Sequence, residues 1–306
     1  MIVVEYQDVP PQPPVGGGRR SGAQAAPGLG VTCRGLVHIY RLEGYDVVAL
    51  AGVDLDIAPG ESVALLGPSG AGKSTLLSLL AGLLRPSAGR LSVGGQDLVR
   101  ATPAELQRLR ATAVGVVLQG AARNLLPYLS AEQNVRFAQM GVPGERRMRA
   151  ARDVLALVGL AGRARQRPAR LAPGERQRLA LAVALAGRPG LLLADEPTSQ
   201  LDSRGRDEVL AALAAIRAEG TTVVVVTHDP EVAGQMARTV TIRDGRVGAE
   251  GRRGEDWAVV GRDGTVHLPA DALRLLPPGS LVGVEPQPDG SVLLMRSNES
   301  TVDGEP

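Results

Sequence analysis

The stretch Gly67-Pro68-Ser69-Gly70-Ala71-Gly72-Lys73-Ser74-Thr75 decides the fold, because it fits the pattern G-x-x-x-x-G-K-[ST] between two apolar segments. Residues 62–66 before it are typical of a buried strand, and leucines follow it at helical spacing, at positions 76, 77, 79, 80, 83 and 84. Glycines let successive backbone N–H groups turn inward, and a helix N-terminus adds partial positive charge. The sequence therefore predicts a phosphate-binding loop between a strand and a helix.

Lys73 is the only lysine among the 34 basic residues of the chain, and every other one is arginine. A compact ammonium fits inside a phosphate nest, whereas a planar guanidinium does not. We therefore expect Lys73 to contact the terminal phosphates of a nucleotide and the Ser74 hydroxyl to bind Mg²⁺.

Bulk composition limits the class of protein. The 306 residues leave room for one large domain or two. A single cysteine, Cys33, excludes an internal disulfide and suits the cytosol, and a net charge of +2 gives no argument for a nucleic-acid partner. The longest apolar stretches, 179–186 and 222–227, are far shorter than the ~20 residues of a membrane span, and residues 1–10 lack the features of a signal peptide.

Composition also divides the chain. Residues 1–29 are rich in proline and glycine and predict a disordered tail, and residues 298–306 predict a second one. Residues 30–250 carry the α/β pattern, beginning with two antiparallel strands near 31–40 and 47–57. Residues 256–297 predict a separate small β domain.

The second chemical element is the apolar strand 191–194, which ends in Asp195 and Glu196. In a phosphate-loop protein this position places Asp195 near the Mg²⁺ held by Ser74 and leaves Glu196 to deprotonate the attacking water. A later strand, 222–227, ends at His228 on the same sheet edge, so we expect His228 to contact the γ-phosphate. Asp202 is either part of this site or the N-cap of the next helix.

With the loop, Gln119, the Asp195-Glu196 pair and His228 in this order, residues 31–250 resemble the ATP-binding subunit of ABC transporters. The stretches 116–119, 131–135 and 174–178 are most similar to the branch of lipoprotein-releasing, macrolide-exporting and cell-division ATPases. The resemblance implies an α/β P-loop NTPase of ABC type, with a RecA-like core sheet, an antiparallel β subdomain and a helical subdomain. In that family two such domains face each other head to tail, and each ATP lies between one chain's phosphate loop and the other chain's signature motif.

The resemblance also implies roles for residues at matching positions. ATP would be held by the loop of one chain, by an aromatic ring that stacks on adenine (Tyr40, with Tyr45 as the other candidate) and by the signature of the second chain. The nucleotide-binding residues would then be Tyr40, Gly67, Pro68, Ser69, Gly70, Ala71, Gly72, Lys73, Ser74, Thr75, Leu171, Gly174 and Glu175. The Mg²⁺ ligands or sensors would be Ser74, Gln119 and Asp195, and the catalytic residues would be Glu196, His228 and Gln119.

The expected function is ATP hydrolysis that powers export, or the transmission of force, through a permease in a separate chain. The expected partners are that permease, contacted by the residues after Gln119, and a second ATPase domain as a homodimer or a heterodimer, with no nucleic acid. The expected location is cytoplasmic, peripheral on the inner face of the cell membrane. A soluble ABC protein of DNA repair or translation is disfavoured. Repair members place a long coiled coil between loop and signature, whereas Lys73 and Leu171 are only about a hundred residues apart, and translation members carry two ATPase domains in one chain.

The signature departs from the family. The family reads Leu-Ser-Gly-Gly-(Gln/Glu), where this chain reads Leu171-Ala172-Pro173-Gly174-Glu175. Ala172 lacks a hydroxyl and Pro173 lacks an N–H, and hydrogen bonds to charged groups contribute ~1.5–3 kcal/mol each, so the closed dimer would be weaker by ~10²-fold. Two assemblies remain open, a heterodimer with one weak site and a slow homodimer. An alternative function is a catalytically weak, ATP-dependent clamp that regulates a membrane partner.

The C-terminal segment predicts two hairpins, one over 257–268 folded at Asp263-Gly264 and one over 281–295 folded at Asp289-Gly290, with a short helix over 270–276 between them. Residues 268–279 are similar to the swapped-hairpin barrel of AbrB-like proteins, which implies dimerisation. The alternative to the AbrB-like interpretation is a small β domain without a specific family. Acids outnumber arginines over 256–297, which disfavours DNA binding.

Overall fold

The computed structural model describes residues 2–4, 28–142, 149–252, 255–260, 264–266, 268, 270–277, 280–289 and 291–296. The chain divides into two compact units, one spanning residues 24–265 and one formed by residues 1–23 with 266–306.

The strands and helices are numbered in chain order. The strands are β1 Ile2–Val4, β2 Val31–Leu42, β3 Tyr45–Ile57, β4 Ser62–Leu66, β5 Ala88–Val93, β6 Gln96–Asp97, β7 Val114–Val117, β8 Leu191–Asp195, β9 Thr222–Val226, β10 Arg238–Arg243, β11 Arg246–Arg252, β12 Glu255–Ala258, β13 Val282–Pro286 and β14 Val292–Arg296. The helices are α1 Lys73–Leu80, α2 Pro103–Thr112, α3 Ala131–Met140, α4 Ala151–Leu157, α5 Pro173–Ala184, α6 Ser203–Ala218, α7 Pro230–Gly234 and α8 Ala270–Leu275.

A seven-stranded sheet of order β12-β11-β10-β4-β9-β8-β7 forms the centre of the larger unit. The five strands from β10 to β7 run parallel, and β11 and β12 continue the sheet antiparallel. Every residue of β8 and β9 is buried, which explains why both sequences are almost continuous apolar runs. Because parallel strands end at one edge, the residues that follow β4, β7, β8 and β9 meet there.

A four-stranded antiparallel sheet of order β3-β2-β5-β6 forms the second layer. Its long hairpin pairs Val31 with Ile57 and Leu42 with Tyr45, so the predicted antiparallel start is confirmed and extended. Leu36, Leu50 and Leu55 of this sheet share one hydrophobic core with the leucines of α1 and with the central sheet.

A second core lies among α3, α4, α5 and α6 and the other face of the central sheet. Side chains cap the starts of α2 and α6. Thr102 and Glu105 form a capping box on α2. Asp202, for which the sequence left two roles open, is the N-cap of α6, where its side chain accepts a hydrogen bond from Gly205 N (2.8 Å). Within the described part of the chain, no helix is both long enough and apolar enough to cross a membrane.

The smaller unit contains an antiparallel sheet of order β1-β14-β13 together with α8. The predicted hairpin near 281–295 is present, with Val282 opposite Arg296. The predicted tail 1–29 is wrong for β1, where Ile2 pairs with Leu294, and for Leu29, whose backbone N donates to Gly190 O at 3.0 Å. Pairing across almost the whole chain leaves no local trace in the sequence.

The first predicted C-terminal hairpin also needs correction. Residues 255–258 form β12, which pairs with β11 in the central sheet, so this segment belongs to the larger unit and not to a separate domain. The short connection between β11 and β12 makes the preceding strand the nearest partner. Asp263, Gly290 and the predicted tail 298–306 lie outside the described residues.

We predict that Leu79→Ala lowers the free energy of unfolding by about 3 kcal/mol, because Leu79 is fully buried in the core that α1 shares with the two sheets. Urea denaturation followed by far-UV circular dichroism measures the loss. Leu83→Ala is the control: Leu83 is 49% exposed and should cost less than about 1 kcal/mol. Equal losses from both substitutions would contradict this packing.

Candidate functional site

The C-terminal edge of the central sheet opens into a cleft of about 490 Å³. Strands β2 and β3, the loop after β4, and the residues at the ends of β7, β8 and β9 all contribute to its walls. The lining residues are Tyr40, Val47, Val48, Ala49, Gly67, Ser69, Gly70, Gly72, Lys73, Ser74, Thr75, Gln119, Asp195, Glu196, Val226 and His228.

The loop between β4 and α1 requires glycine at two positions. Gly67 (φ 135°) and Gly72 (φ 97°) adopt backbone conformations that other residues rarely reach. A Cβ at Gly67 would lie 2.0 Å from Ile242 O, and one at Gly72 would lie 2.3 Å from Ala49 O. The loop is therefore held between β10 and β3 by close backbone contact, as a cradle at the N-terminus of α1.

Lys73 points into this cradle. Its side-chain Nζ donates to Gly67 O at 2.8 Å and to Pro68 O at 2.7 Å, and the residue is 9% exposed. A cation enclosed by the loop and placed at the start of a helix makes the cradle an anion site, and a phosphate group fits it. Of the remaining loop residues, Ser69, Gly70 and Thr75 line the cleft, whereas Ala71 is buried and does not line it.

Asp195 and Ser74 form a second feature of the cleft. Burial raises the pKa of Asp195, a hydrogen bond with the Ser74 side chain lowers it, the charge of Glu196 raises it and that of Lys73 lowers it. The buried Oδ1 of Asp195 has no hydrogen-bond partner among the described residues. A hydroxyl beside an unpaired carboxylate oxygen is the donor set that Mg²⁺ prefers, so these residues fit that ion. Gln119 lines the same cleft and is an exposed residue.

Glu196 and His228 form a close pair. Nδ1 of His228 lies 3.0 Å from Oε1 and 2.8 Å from Oε2 of Glu196. Glu196 N donates to Val226 O at 2.9 Å, and its φ of 50° is unusual for a residue other than glycine. Strained backbone of this kind concentrates at functional sites.

The pair also affects protonation of the imidazole. The hydrogen bond and then the charge of Glu196 raise the pKa of His228, burial lowers it, Asp229 raises it and Lys73 lowers it. His228 thus keeps its proton to a higher pH than a free imidazole. The attraction between the two side chains is present at low pH and is lost as the pH rises through this raised pKa.

Tyr40, and not Tyr45, faces the cleft. Its hydroxyl lies 3.2 Å from Thr75 Oγ1, and its ring meets His38 edge to face with centroids 4.7 Å apart. His38 is in turn held by Arg85, whose carbonyl oxygen lies 3.0 Å from the His38 Nδ1.

Four residues that line the cleft were not predicted from the sequence: Val47, Val48, Ala49 and Val226. His38 was not predicted either; it contacts the ring of Tyr40 and does not line the cleft. Val47 and Val48 are adjacent and both exposed on β3, and no motif in the sequence marks them as part of a site.

The signature residues lie apart from the cleft. Leu171, Gly174 and Glu175 do not line it. Ala172 caps α5; its backbone N donates to Glu175 Oε2 at 3.0 Å, and Arg163 donates to Glu175 Oε1 at 2.7 Å. The hydrogen bond from Ala172 N is the largest cause that lowers the pKa of Glu175. Burial raises this pKa, and the hydrogen bond from Arg163 lowers it further. Because the two groups of residues do not meet within one chain, this chain's signature does not complete its own cleft.

The profile of the ABC transporter family matches residues 50–199. An uncharacterized ABC transporter ATP-binding protein of Thermotoga maritima is 42% identical over 218 residues, which cover 71% of this chain and 92% of that protein. Lipoprotein-releasing system ATP-binding protein LolD 2 of Caulobacter vibrioides is 43% identical, with 70% and 94% covered. Macrolide export ATP-binding/permease protein MacB 1/2 of Paracoccus denitrificans is 44% identical over 67% of this chain, which spans only 31% of that protein's length.

Solved structures agree with these relatives. The dimeric ATP-binding cassette MJ0796, in a post-hydrolysis state bound to ADP and Pi, superimposes with a TM-score of 0.65 at 34% identity, covering 72% of this chain and 98% of that one. CbiO1 of Clostridium perfringens, part of the CbiONQ transporter complex, gives a TM-score of 0.64 at 28% identity, with 72% and 88% covered. The phosphate-loop cleft, the sequence identity across nearly the whole of the Thermotoga protein and the shared cassette fold together show that this chain belongs to the ABC transporter family, as one of its ATP-hydrolysing cassettes.

Proposed function

We propose that this chain binds and hydrolyses ATP to power a permease in a separate chain, in export or in transmitting force across the membrane. The observation that carries the proposal is the cleft that gathers Lys73, Asp195, Glu196 and His228 at one sheet edge. The similarity to proteins named for macrolide export and lipoprotein release supports this branch of the family. Membership of a family of ATP hydrolases favours this function over a clamp without turnover.

In this proposal the loop N–H groups and Lys73 bind the β- and γ-phosphates, with the ammonium exchanging its bonds to Gly67 O and Pro68 O for phosphate oxygens. Ser74 and Asp195 would hold Mg²⁺, assisted by Gln119; when bound, the ion neutralises charge on the phosphate oxygens. Tyr40 would stack on the adenine ring, with Val47 and Val48 beside it.

Glu196 acts as the general base. Its carboxylate takes a proton from the attacking water while the bond from the γ-phosphorus to the bridging oxygen breaks, and ADP leaves with the electron pair. His228 bonds Glu196 through Nδ1, which orients the carboxylate and leaves Nε2 to donate to the γ-phosphate. The γ-phosphoryl oxygens thereby gain a donor where negative charge builds up.

We propose that the permease docks beside Gln119. A groove of about 290 Å³ runs there, with Leu83, Val116 and Leu118 among its lining residues, and exposed Phe137 and Met140 on α3 add apolar surface. Such a surface on a transporter ATPase suits a helical segment of a membrane partner. The proposed location is the cytoplasmic face of the cell membrane.

We propose a dimer in which the signature of a second ATPase domain closes each cleft. Its support is the separation of Leu171, Gly174 and Glu175 from the cleft of their own chain, together with the dimeric state of MJ0796. The C-terminal unit, with Leu281 and Val284 exposed, is proposed as an AbrB-like dimerisation element that favours two copies of this chain. A heterodimer remains the other assembly, which the signature experiment below distinguishes.

The first prediction concerns the base. Glu196→Gln should lower hydrolysis by at least about 10²-fold, because an amide cannot accept the proton of water. ATP binding should persist, so ATP-bound dimer should accumulate; phosphate release and light scattering measure the two effects. Glu43→Gln, at an exposed turn outside the cleft, is the control. Unchanged phosphate release from Glu196→Gln would remove Glu196 from the mechanism.

The second prediction concerns the sole lysine. Lys73→Ala should weaken ATP binding by at least about 10²-fold, as measured by calorimetry, since it removes the cation that faces the phosphates. Lys73→Arg should fail to restore binding, because the cradle accepts a point charge between two carbonyl oxygens and not a planar fork. Wild-type affinity in Lys73→Arg would contradict this fit, provided that both variants melt like the wild type.

The third prediction concerns the signature. Ala172→Ser/Pro173→Gly should raise turnover by about 10²-fold, because it restores a hydroxyl and an N–H at the start of α5. Ala169→Ser, on the exposed turn just before, is the matched control. A dimeric, active wild type would establish a working homodimer, whereas an inactive wild type rescued by the double variant would point to a partner ATPase. No gain from the double variant would show that the native signature is not limiting.

A further inference from the structure

Arg206 links α6 to the segment that carries His228. Its Nη1 lies 3.6 Å from Asp229 Oδ2, and its Nη2 lies 2.5 Å from Glu231 Oε2. Its Nε also faces Asp207 of its own helix, at 3.8 Å. One guanidinium therefore spans two carboxylates on either side of Pro230, at the first turn of α7.

The backbone next to His228 is held on both sides. Before it, Thr227 is buried and its N donates to Leu65 O at 3.2 Å, which fixes it to the central sheet. After it, Asp229 N donates to Thr227 Oγ1 at 3.0 Å, and Asp229 Oδ1 accepts from Glu231 N at 2.9 Å. These bonds form the turn whose two carboxylates make ion pairs with Arg206.

The His228 ring depends on this turn. Its side chain is 73% exposed, so close packing does not hold it, and its position follows from the backbone and from the contact with Glu196. Arg206 and Asp229 are only 26% and 27% exposed, whereas Glu231 is 67% exposed. A cation shared by two acids is held more firmly than an exposed single pair. Arg206 also balances the charge of Asp229, one residue from the histidine that is proposed to meet a polyanion.

We propose that Arg206 is a positioning residue for His228, holding the turn over 229–231 so that the imidazole stays on Glu196. This inference rests on the proposed function, in which His228 donates to the γ-phosphate. Arg206 itself touches neither the cleft nor, in this proposal, the nucleotide. Its removal should impair the chemical step and leave ATP binding intact, because the loop and Lys73 are untouched.

The test compares Arg206→Gln with Arg204→Gln. Arg204 lies on the same helix, is 88% exposed and pairs with Glu208 of that helix, so it controls for the loss of a charge. Arg206→Gln should lower kcat about tenfold with the Kd for ATP unchanged, and Arg206→Lys should recover part of the loss. In a His228→Ala background, Arg206→Gln should have no further effect on kcat.

A readout without turnover keeps the test separate from the proposed function. The chain has three histidines, His38, His228 and His267, so the imidazole signals are readily assigned by NMR. The order parameter of the His228 ring Cε1–H bond should fall in Arg206→Gln and stay unchanged in Arg204→Gln.

Three outcomes decide the inference. An unchanged order parameter in Arg206→Gln would overturn it, and so would an equal loss of kcat in the His228→Ala background. If His228→Ala itself leaves kcat unchanged, the proposed role of His228 fails, while the NMR result still shows whether Arg206 orders the ring. If Arg206→Gln does not fold, Glu231→Gln removes one of the two ion pairs between Arg206 and this turn and is read in the same way.

Discussion

The architecture of the larger unit depends on close backbone contact at the phosphate loop. Gly67 lies against Ile242 of β10, and Gly72 lies against Ala49 of β3, each within a distance that no Cβ allows. The loop is thereby wedged between the central sheet and the antiparallel sheet. This contact fixes where α1 begins, so the helix N-terminus, Lys73 and Ser74 all face the cleft that the strand ends complete.

Charge in the cleft follows from the fold. The parallel strands deliver Asp195, Glu196 and His228 to one edge, where the loop supplies a single enclosed cation. Burial and the neighbouring carboxylate push the pKa of Asp195 up while Ser74 and Lys73 pull it down, and Glu196 raises that of His228. Opposed effects of this kind on neighbouring acids and bases are typical of functional sites.

Local patterns predicted most of this site. The loop, the buried strands and the helix caps each depend on neighbouring residues, so the sequence alone located Lys73, Asp195, Glu196 and His228 and the strands that carry them. Features that depend on pairing between distant parts of the chain were not predicted: β1 pairs with β14 from the other end of the chain, and β12 joins the central sheet. The choice between Tyr40 and Tyr45 required the register of the β2–β3 hairpin, which shifts between His38 and Ile39. The proposed role of Arg206 also depends on the three-dimensional structure, because Asp229 and Glu231 lie at the start of a different helix, α7.

The unusual reliance on arginine gives the chain one more property. Lys73 carries the only side-chain amine among all 306 residues, and that amine is nearly buried in the loop. Any lysine-directed acylation or conjugation of a side chain must therefore act on the phosphate cradle itself. Among side chains, an amine reagent therefore reports only on access to the phosphate cradle, and the arginines elsewhere on the surface do not contribute to that signal.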